Sequence, residues 1–211
     1  MAKNKGVLIV ISGPSGAGKG TICKALLEKH KDIHLSVSAT TREPRQGEVH
    51  GVNYYFLNKD DFLKKVEEDD FLEWAEVYGN CYGTPKSNVQ ELLDSGKDVI
   101  LEIDIQGALK VKENTEEGVF IFILPPSMEE LKQRIINRGS ETPESLMRRF
   151  KSAYQEINYI SKYNYAVVND VVDVAVSKIE GIITAEKCRV DRIKDTILDS
   201  KEGLIHEQLY D

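Results

Sequence analysis

The chain of 211 residues has only three cysteines, Cys23, Cys81 and Cys188, and no CxxC pair. Wide spacing and an odd count exclude a disulfide framework and a zinc site, and they fit a reducing compartment. Positive charge is also scarce: 28 Lys+Arg face 35 Asp+Glu, a formal net charge of −7. That balance supplies no field for DNA, RNA or an anionic membrane surface, so any cationic site must be local. Long apolar runs are missing. Val7 to Ile11 follows the basic start Met1-Ala-Lys-Asn-Lys, but it is too short for a signal-peptide core and Gly13-Pro14-Ser15-Gly16 ends it. The longest later run, Val119 to Leu124, cannot span a bilayer. His30, His34, His50 and His206 have no metal-ligand spacing. Internal repeats and low-complexity linkers are absent. The expectation is a soluble cytoplasmic protein with no membrane or nucleic acid polymer as partner.

What is present is an ordinary globular composition, 41% hydrophobic and 30% charged. Val7–Ile11, Val99–Leu101 and Val119–Leu124 are apolar without alternation, as expected of parallel strands covered on both faces. Ala166–Val168 reads as a fourth buried strand. Ser127-Met128-Glu129-Glu130 has capping-box form and opens a helix towards Gly139. Thr142-Pro143-Glu144 opens another towards Ile160, and Val171 to about Ile197 reads as one long or broken helix. Strands alternating with helices give an α/β fold with a mostly parallel sheet.

Residues 36–95 read differently. Tyr54–Leu57 is β-prone, Asp60–Glu67 a short helix and Phe71–Tyr78 strand-like; Gly79-Asn80 is a turn, and Pro85–Leu93 is helical up to Gly96. The expected organisation is a core of 1–35 and 96–211 with an inserted α+β lobe at 36–95.

Gly13, Pro14, Ser15, Gly16, Ala17, Gly18, Lys19, Gly20 and Thr21 follow the first apolar strand and open a helix. The spacing GxxxxGK is that of the P-loop, whose backbone N–H groups and helix N-terminus cradle phosphate, with the lysine as a point charge on the β- and γ-phosphates. Gly20 stands where Ser or Thr is usual and Thr21 comes one place later, so Mg²⁺ is expected to rely mainly on nucleotide phosphates and water. Glu102 and Asp104 end the strand Val99–Leu101, and the carboxyl end of a parallel strand is where ligands bind.

The segments GPSGAGKGT, SVSATTREPRQGEVHGVNYYF, FLEWAEVYGNCYGTP, LEIDIQG, PPSMEELKQRIINRGSE and RRF resemble guanylate kinase closely, in the expected order and over most of the chain. The resemblance implies a three-layer P-loop core, an inserted GMP-binding lobe and a short helical lid at about 134–149. It implies transfer of the ATP γ-phosphate to GMP, and to dGMP, in purine nucleotide metabolism and GMP recycling. Carried onto matching positions, it places Arg42, Arg45, Tyr54 and Tyr82 on the GMP phosphate. It places Ser38, Glu73 and Thr84 around guanine, and Glu102 and Asp104 near the nucleotides. ATP and GMP are the partners, and the chain is expected as a monomer or homodimer.

The residue chemistry agrees. Pro44 keeps Arg42 and Arg45 out of regular helix, so both guanidiniums can meet one dianionic phosphate. A carboxylate at Glu73 accepts guanine N1–H and the 2-amino group side by side and repels adenine, while Ser38 and Thr84 hydroxyls are donors for guanine O6. Arg134, Arg138, Arg148 and Arg149 bracket the hinge-like Gly139–Thr142. Arg134, Arg138 and Arg149 are assigned to ATP phosphate or transition-state charge. Lys19, Arg42, Arg138 and Arg149 form the expected catalytic set. The resemblance places Asn169-Asp170, after the last strand, near the ATP base, with a helix N-cap role as the alternative. Two rivals remain: a P-loop kinase for another nucleotide, and a binding module of this shape without catalysis.

Overall fold

In a computed structural model the residues described are 5–77, 79–115, 117–136 and 143–198. The apolar runs form the middle of a five-stranded sheet. Leu8–Ser12 (β1), Ile33–Leu35 (β2), Asp98–Glu102 (β7), Val119–Leu124 (β8) and Tyr165–Val168 (β9) lie in the order β2-β7-β1-β8-β9, all parallel. Residue parity shows why the runs are continuous rather than alternating. Ile9, Ile11, Ile100, Ile121 and Ile123 face one layer with Lys19–Lys29 (α1) and Val172–Lys187 (α7). Leu8, Val10, Val99, Leu101 and Phe120 face the other with Lys86–Asp94 (α3) and Ile105–Asn114 (α4). Both parities are buried, which gives three layers.

A second, mixed sheet of four strands has the order β4-β3-β6-β5. It comprises Ala39–Thr40 (β3), Tyr55–Phe56 (β4), Phe71–Val77 (β5) and Asn80–Pro85 (β6). Its own small core stacks Phe62 of Lys59–Glu67 (α2) on Phe71, with ring centroids 4.5 Å apart, beside Ala39 and Cys81. Asn58 caps α2 by accepting from Asp61 N at 2.8 Å. The helix α3 packs through Val89 and Leu93 on the large sheet instead. We therefore propose that the lobe expected at 36–95 is better bounded by Ala39 and Pro85.

The helix opened by Ser127 is Met128–Ile136 (α5), and the Ser127 hydroxyl accepts from Glu130 N at 3.0 Å. Pro143–Glu156 (α6) begins at its proline and packs Ala153 against Leu131 and Ile135 of α5. The region after Val171 is broken: α7 ends at Lys187 and Val190–Leu198 (α8) follows. The strand expected as buried is a sheet edge, with Val167 inside and Val168 41% exposed. Residues 137–142, including Arg138 and the expected hinge, lie outside the described residues, as does the tail beyond 198.

Candidate active site

The loop after β1 is shaped by what surrounds it. Gly13 has φ +145°, and a Cβ there would stand 2.3 Å from Ile123 O. Gly18 is the left-handed N-cap of α1 at φ +91°, and its Cβ would meet Asn169 Nδ2 at 2.3 Å. Only glycine satisfies both the conformation and the close approach. Asn169, 3% exposed, donates Nδ2 to Ala17 O at 2.9 Å and so ties the end of β9 to the loop. Its backbone carbonyl accepts both terminal nitrogens of Arg134 at 3.1 Å, and Arg134 Nε donates to Glu130 at 3.1 Å. The N-cap of α7 is Val171, without a side-chain cap, so the alternative N-cap role of Asn169 does not hold. It is a loop clamp, and its Oδ1 is buried without a hydrogen-bond partner.

Lys19 Nζ folds over the loop and donates to Gly13 O at 2.6 Å. It lines a cleft of about 220 Å³ with Gly13, Ser15, Gly20, Glu102, Asp104 and Glu156. A Cβ on Gly20 would come within 3.3 Å of Glu102 Oε1, so a side chain at that position would crowd the carboxylate. Thr21 is exposed on the first turn of α1. Asp104 caps α4, accepting from Gly107 N at 2.7 Å, which fixes its carboxylate at the carboxyl end of β7. Buried Cys23 lies against Glu102 and near Lys19; burial, with repulsion from Glu102, pushes its thiol far up, so it is inert.

A second cleft of about 310 Å³ opens on the same two carboxylates. Ser38, Tyr54, Glu73, Tyr82, Glu102 and Asp104 line it, six of the expected positions. Glu73 is half-buried on β5. Burial raises its carboxyl above the usual range, Asp104 adds repulsion, and the Thr84 hydroxyl donating at 2.8 Å works the other way. The single Thr84 proton is thus committed to Glu73 in this structure, and Thr84 is 1% exposed. Ser38 is left as the hydroxyl on the cleft wall.

Arg42 stands beside Tyr54 of this cleft, with its guanidinium 5.6 Å from the Tyr54 ring centroid. The Glu48 carboxylate receives Arg42 Nη2 on both oxygens at 2.9 Å and the Arg45 backbone N–H at 2.7 Å. These contacts, the Arg45 amide first, hold the Glu48 carboxyl below its usual range. The Arg45 side chain itself is exposed. Arg148 and Arg149 stand on α6, where the structure describes the helix but not their side chains.

A larger cleft of about 470 Å³ lies at the opposite, amino-terminal end of β1. Its cations Lys5, Lys86 and Arg192 stand within ion-pair distance of Asp94, Asp69 and Glu117, so it offers no comparable anion site.

The family model described as guanylate kinase matches residues 5–186. The chain belongs to the guanylate kinase family. A curated guanylate kinase of Clostridium perfringens is 77% identical over 208 residues, covering 99% of this chain and 96% of that protein. One from Clostridium tetani is 73% identical over 207 residues, covering 98% and 99%. The crystal structure of guanylate kinase from Anaplasma phagocytophilum superposes with a TM-score of 0.73 at 37% identity, covering 95% of this chain and 97% of that one. In this guanylate kinase family member, sequence reasoning missed Glu48 and Glu156 as members of the site. Glu48 lies inside the segment already singled out, three residues from Arg45, and that adjacency was the available signal. Glu156 had none, because it reaches the loop only through the packing of α6.

Proposed function

We propose that the chain transfers the γ-phosphate of ATP to GMP by direct in-line displacement, yielding ADP and GDP. The observation that carries this reading is the shared wall. Glu102 and Asp104 line both the loop cleft and the cleft beside Glu73, so a donor phosphate in one faces an acceptor phosphate in the other. Positioning of two anions in line supplies most of such a reaction, because the GMP phosphate oxygen is itself the nucleophile and no general base is needed.

In this reading the loop amides of residues 13–21 and Lys19 hold the ATP phosphates. Arg42, Arg45, Tyr54 and Tyr82 hold the GMP phosphate, with Arg42 exchanging one oxygen partner, Glu48, for another. Glu73 accepts the guanine N1–H and 2-amino donors, whose hydrogen bonds favour its ionised form on binding, and Ser38 donates to O6. Asn169 lies on the adenine side of the loop. Arg134, Arg138 and Arg149 belong to a lid at about 134–149 that brings cations to the transferring phosphoryl group and excludes water.

Among the described residues no three acidic, His or Cys side chains gather as a cation cage. The oxygen donors facing the loop cleft, Glu102 and Asp104, suit Mg²⁺ that arrives on the ATP phosphates with most of its water, where it neutralises phosphate charge. The chain's own contribution there is to fix those two carboxylates, Asp104 by its cap on α4 and Glu102 by its place at the end of β7. The test is a coupled assay of ADP formation from ATP and Mg²⁺. The reading requires ADP formation that depends on GMP; none with GMP present would leave a binding module.

A further inference from the structure

A regular strand would not present Glu73 where the structure has it. Phe71 and Trp74 both meet the Phe62 ring, Phe71 stacked at 4.5 Å and Trp74 edge-on at 6.4 Å between centroids. Residues three apart on an unbroken strand point to opposite faces, so one extra residue must intervene. The pairing of β5 with β6 contains it. Phe71 faces Pro85 and Glu73 faces Thr84, two steps on β5 against one on β6, which leaves Leu72 without an opposite number. Without that bulge Glu73 would share the face of Phe71 and point at the apolar core of the lobe. With it, Leu72 packs with Leu8, Val10 and Val99 of the large sheet, and Glu73 comes to the wall of the cleft it shares with Asp104.

The bulge is held from the other side by α4. Gly107, Lys110 and Asn114 are spaced three and four apart and so share one face of that helix. Lys110 Nζ donates to Trp74 O at 2.6 Å, and Asn114 Nδ2 donates to Leu72 O at 3.1 Å. The carbonyls on either side of Glu73 are thus both tied to α4. Gly107 lies under the carboxylate itself: a Cβ there would stand 3.1 Å from Glu73 Oε2 and 3.5 Å from Asp104 Oδ1. It is buried, and its N–H is the one that Asp104 accepts. Only a residue without a Cβ lets the carboxylate lie this close to the helix. Glu73 Oε1 takes the Thr84 hydroxyl at 2.8 Å, so the carboxylate is bounded on both oxygens.

We propose that Gly107, Lys110 and Asn114 are positioning residues for purine selection: they pin the Leu72 bulge and seat the Glu73 carboxylate where its two oxygens meet both guanine donors. The inference deepens the reading of Glu73 given above and rests on it. Two acceptor atoms must meet two donors at once, so a displacement of the carboxylate weakens the paired contact more than a single hydrogen bond. A nucleotide that offers one donor is therefore less sensitive to it than GMP. IMP, which keeps N1–H and has hydrogen in place of the 2-amino group, is that probe.

The test measures kcat/KM for GMP and for IMP, with KM for ATP, in wild type and four variants. Gly107→Ala sets one methyl group against Glu73 Oε2 and favours the helix itself, so its effect is not the loss of α4. It is expected to lower kcat/KM for GMP roughly tenfold, mainly through KM, and that for IMP by less. The preference for GMP narrows while KM for ATP holds, a split that general damage to the fold would not produce. Lys110→Met and Asn114→Ala each remove one donor to β5 and should narrow the preference several-fold. Lys110→Arg, which keeps a donor, should return it towards wild type. An unchanged GMP-to-IMP ratio in Gly107→Ala, Lys110→Met and Asn114→Ala, or equal losses on both acceptors with KM for ATP raised, overturns the proposal and leaves the guanine reading intact. Wild type that uses IMP as well as GMP overturns the reading of Glu73 as acceptor for two donors, and this inference with it.

Discussion

Replacing Glu73 by Gln separates recognition from stability. The folded chain raises this carboxyl through burial and the nearby Asp104, whereas the unfolded chain ionises it in the ordinary range. The group therefore binds protons more readily when folded, and its contribution to stability is lost as pH rises through the folded value. At neutral pH the wild type carries a half-buried charge that Gln would not. The melting temperature of Glu73→Gln without nucleotide is thus expected above that of wild type, with the gap growing from acid to neutral pH. Guanine binding responds in the opposite direction. Gln offers one acceptor and an NH₂ group where guanine presents two donors, so one charge-assisted bond is lost and a donor faces a donor. That costs about 2–4 kcal/mol, roughly 30- to 1,000-fold in kcat/KM for GMP. Coupled ADP formation with GMP and AMP, beside thermal melts from pH 5 to 8, reads both effects. A variant within about threefold of wild type on GMP would refute the assignment, since one charged hydrogen bond alone exceeds that. A lowered melting temperature at neutral pH would refute the burial argument.

Three further substitutions bear on the loop and the phosphate clamp. Lys19→Met should lower kcat about 100- to 1,000-fold with little change in melting temperature, as loss of one preorganised charge donor does; near-normal kcat would exclude Lys19 from the transition state. Asn169→Ala removes the tie to Ala17 O, and KM for ATP should rise about tenfold while KM for GMP holds, the cost of one buried hydrogen bond unmade; equal increases in both constants would contradict a loop-specific role. Glu48→Gln weakens the partner that Arg42 leaves for the GMP phosphate, and should lower KM for GMP several-fold at unchanged KM for ATP; no change would make the Arg42–Glu48 pair incidental.

How far the sequence reaches can be judged from particular elements. β1, β7 and β8 are legible because both their faces are buried, so hydrophobicity runs unbroken. β2, with His34 between Ile33 and Leu35, and the two-residue β3 carry no such pattern; their strand character comes from pairing with β7 and with β6. The helix α3 follows the lobe strands in sequence yet packs on the core, since Val89 and Leu93 find their partners there. At the site, the loop, Glu73 and Arg42 are legible as motif positions. Thr84 as a partner of Glu73 and Glu48 as a partner of Arg42 are not, because hydrogen-bond direction and side-chain pairing are fixed only in three dimensions. Asn169 was legible only through the resemblance, as a position near the ATP base, and its clamp on Ala17 O emerged only with the return of β9 to the sheet edge. The net charge of −7, awkward for a phosphate-handling chain, leaves room for local clamps: the cations proposed for the chemistry are Lys19, Arg42, Arg45 and the arginines of the proposed lid.

The most direct test of the central claim is an acceptor panel: ADP formation from ATP and Mg²⁺ with GMP, AMP, CMP or UMP as the sole acceptor. The account predicts turnover with GMP and a kcat/KM for AMP lower by roughly 100-fold or more, the penalty for leaving the Glu73 carboxylate unpaired against adenine N1. Equal turnover of AMP and GMP, or none with GMP, would contradict it.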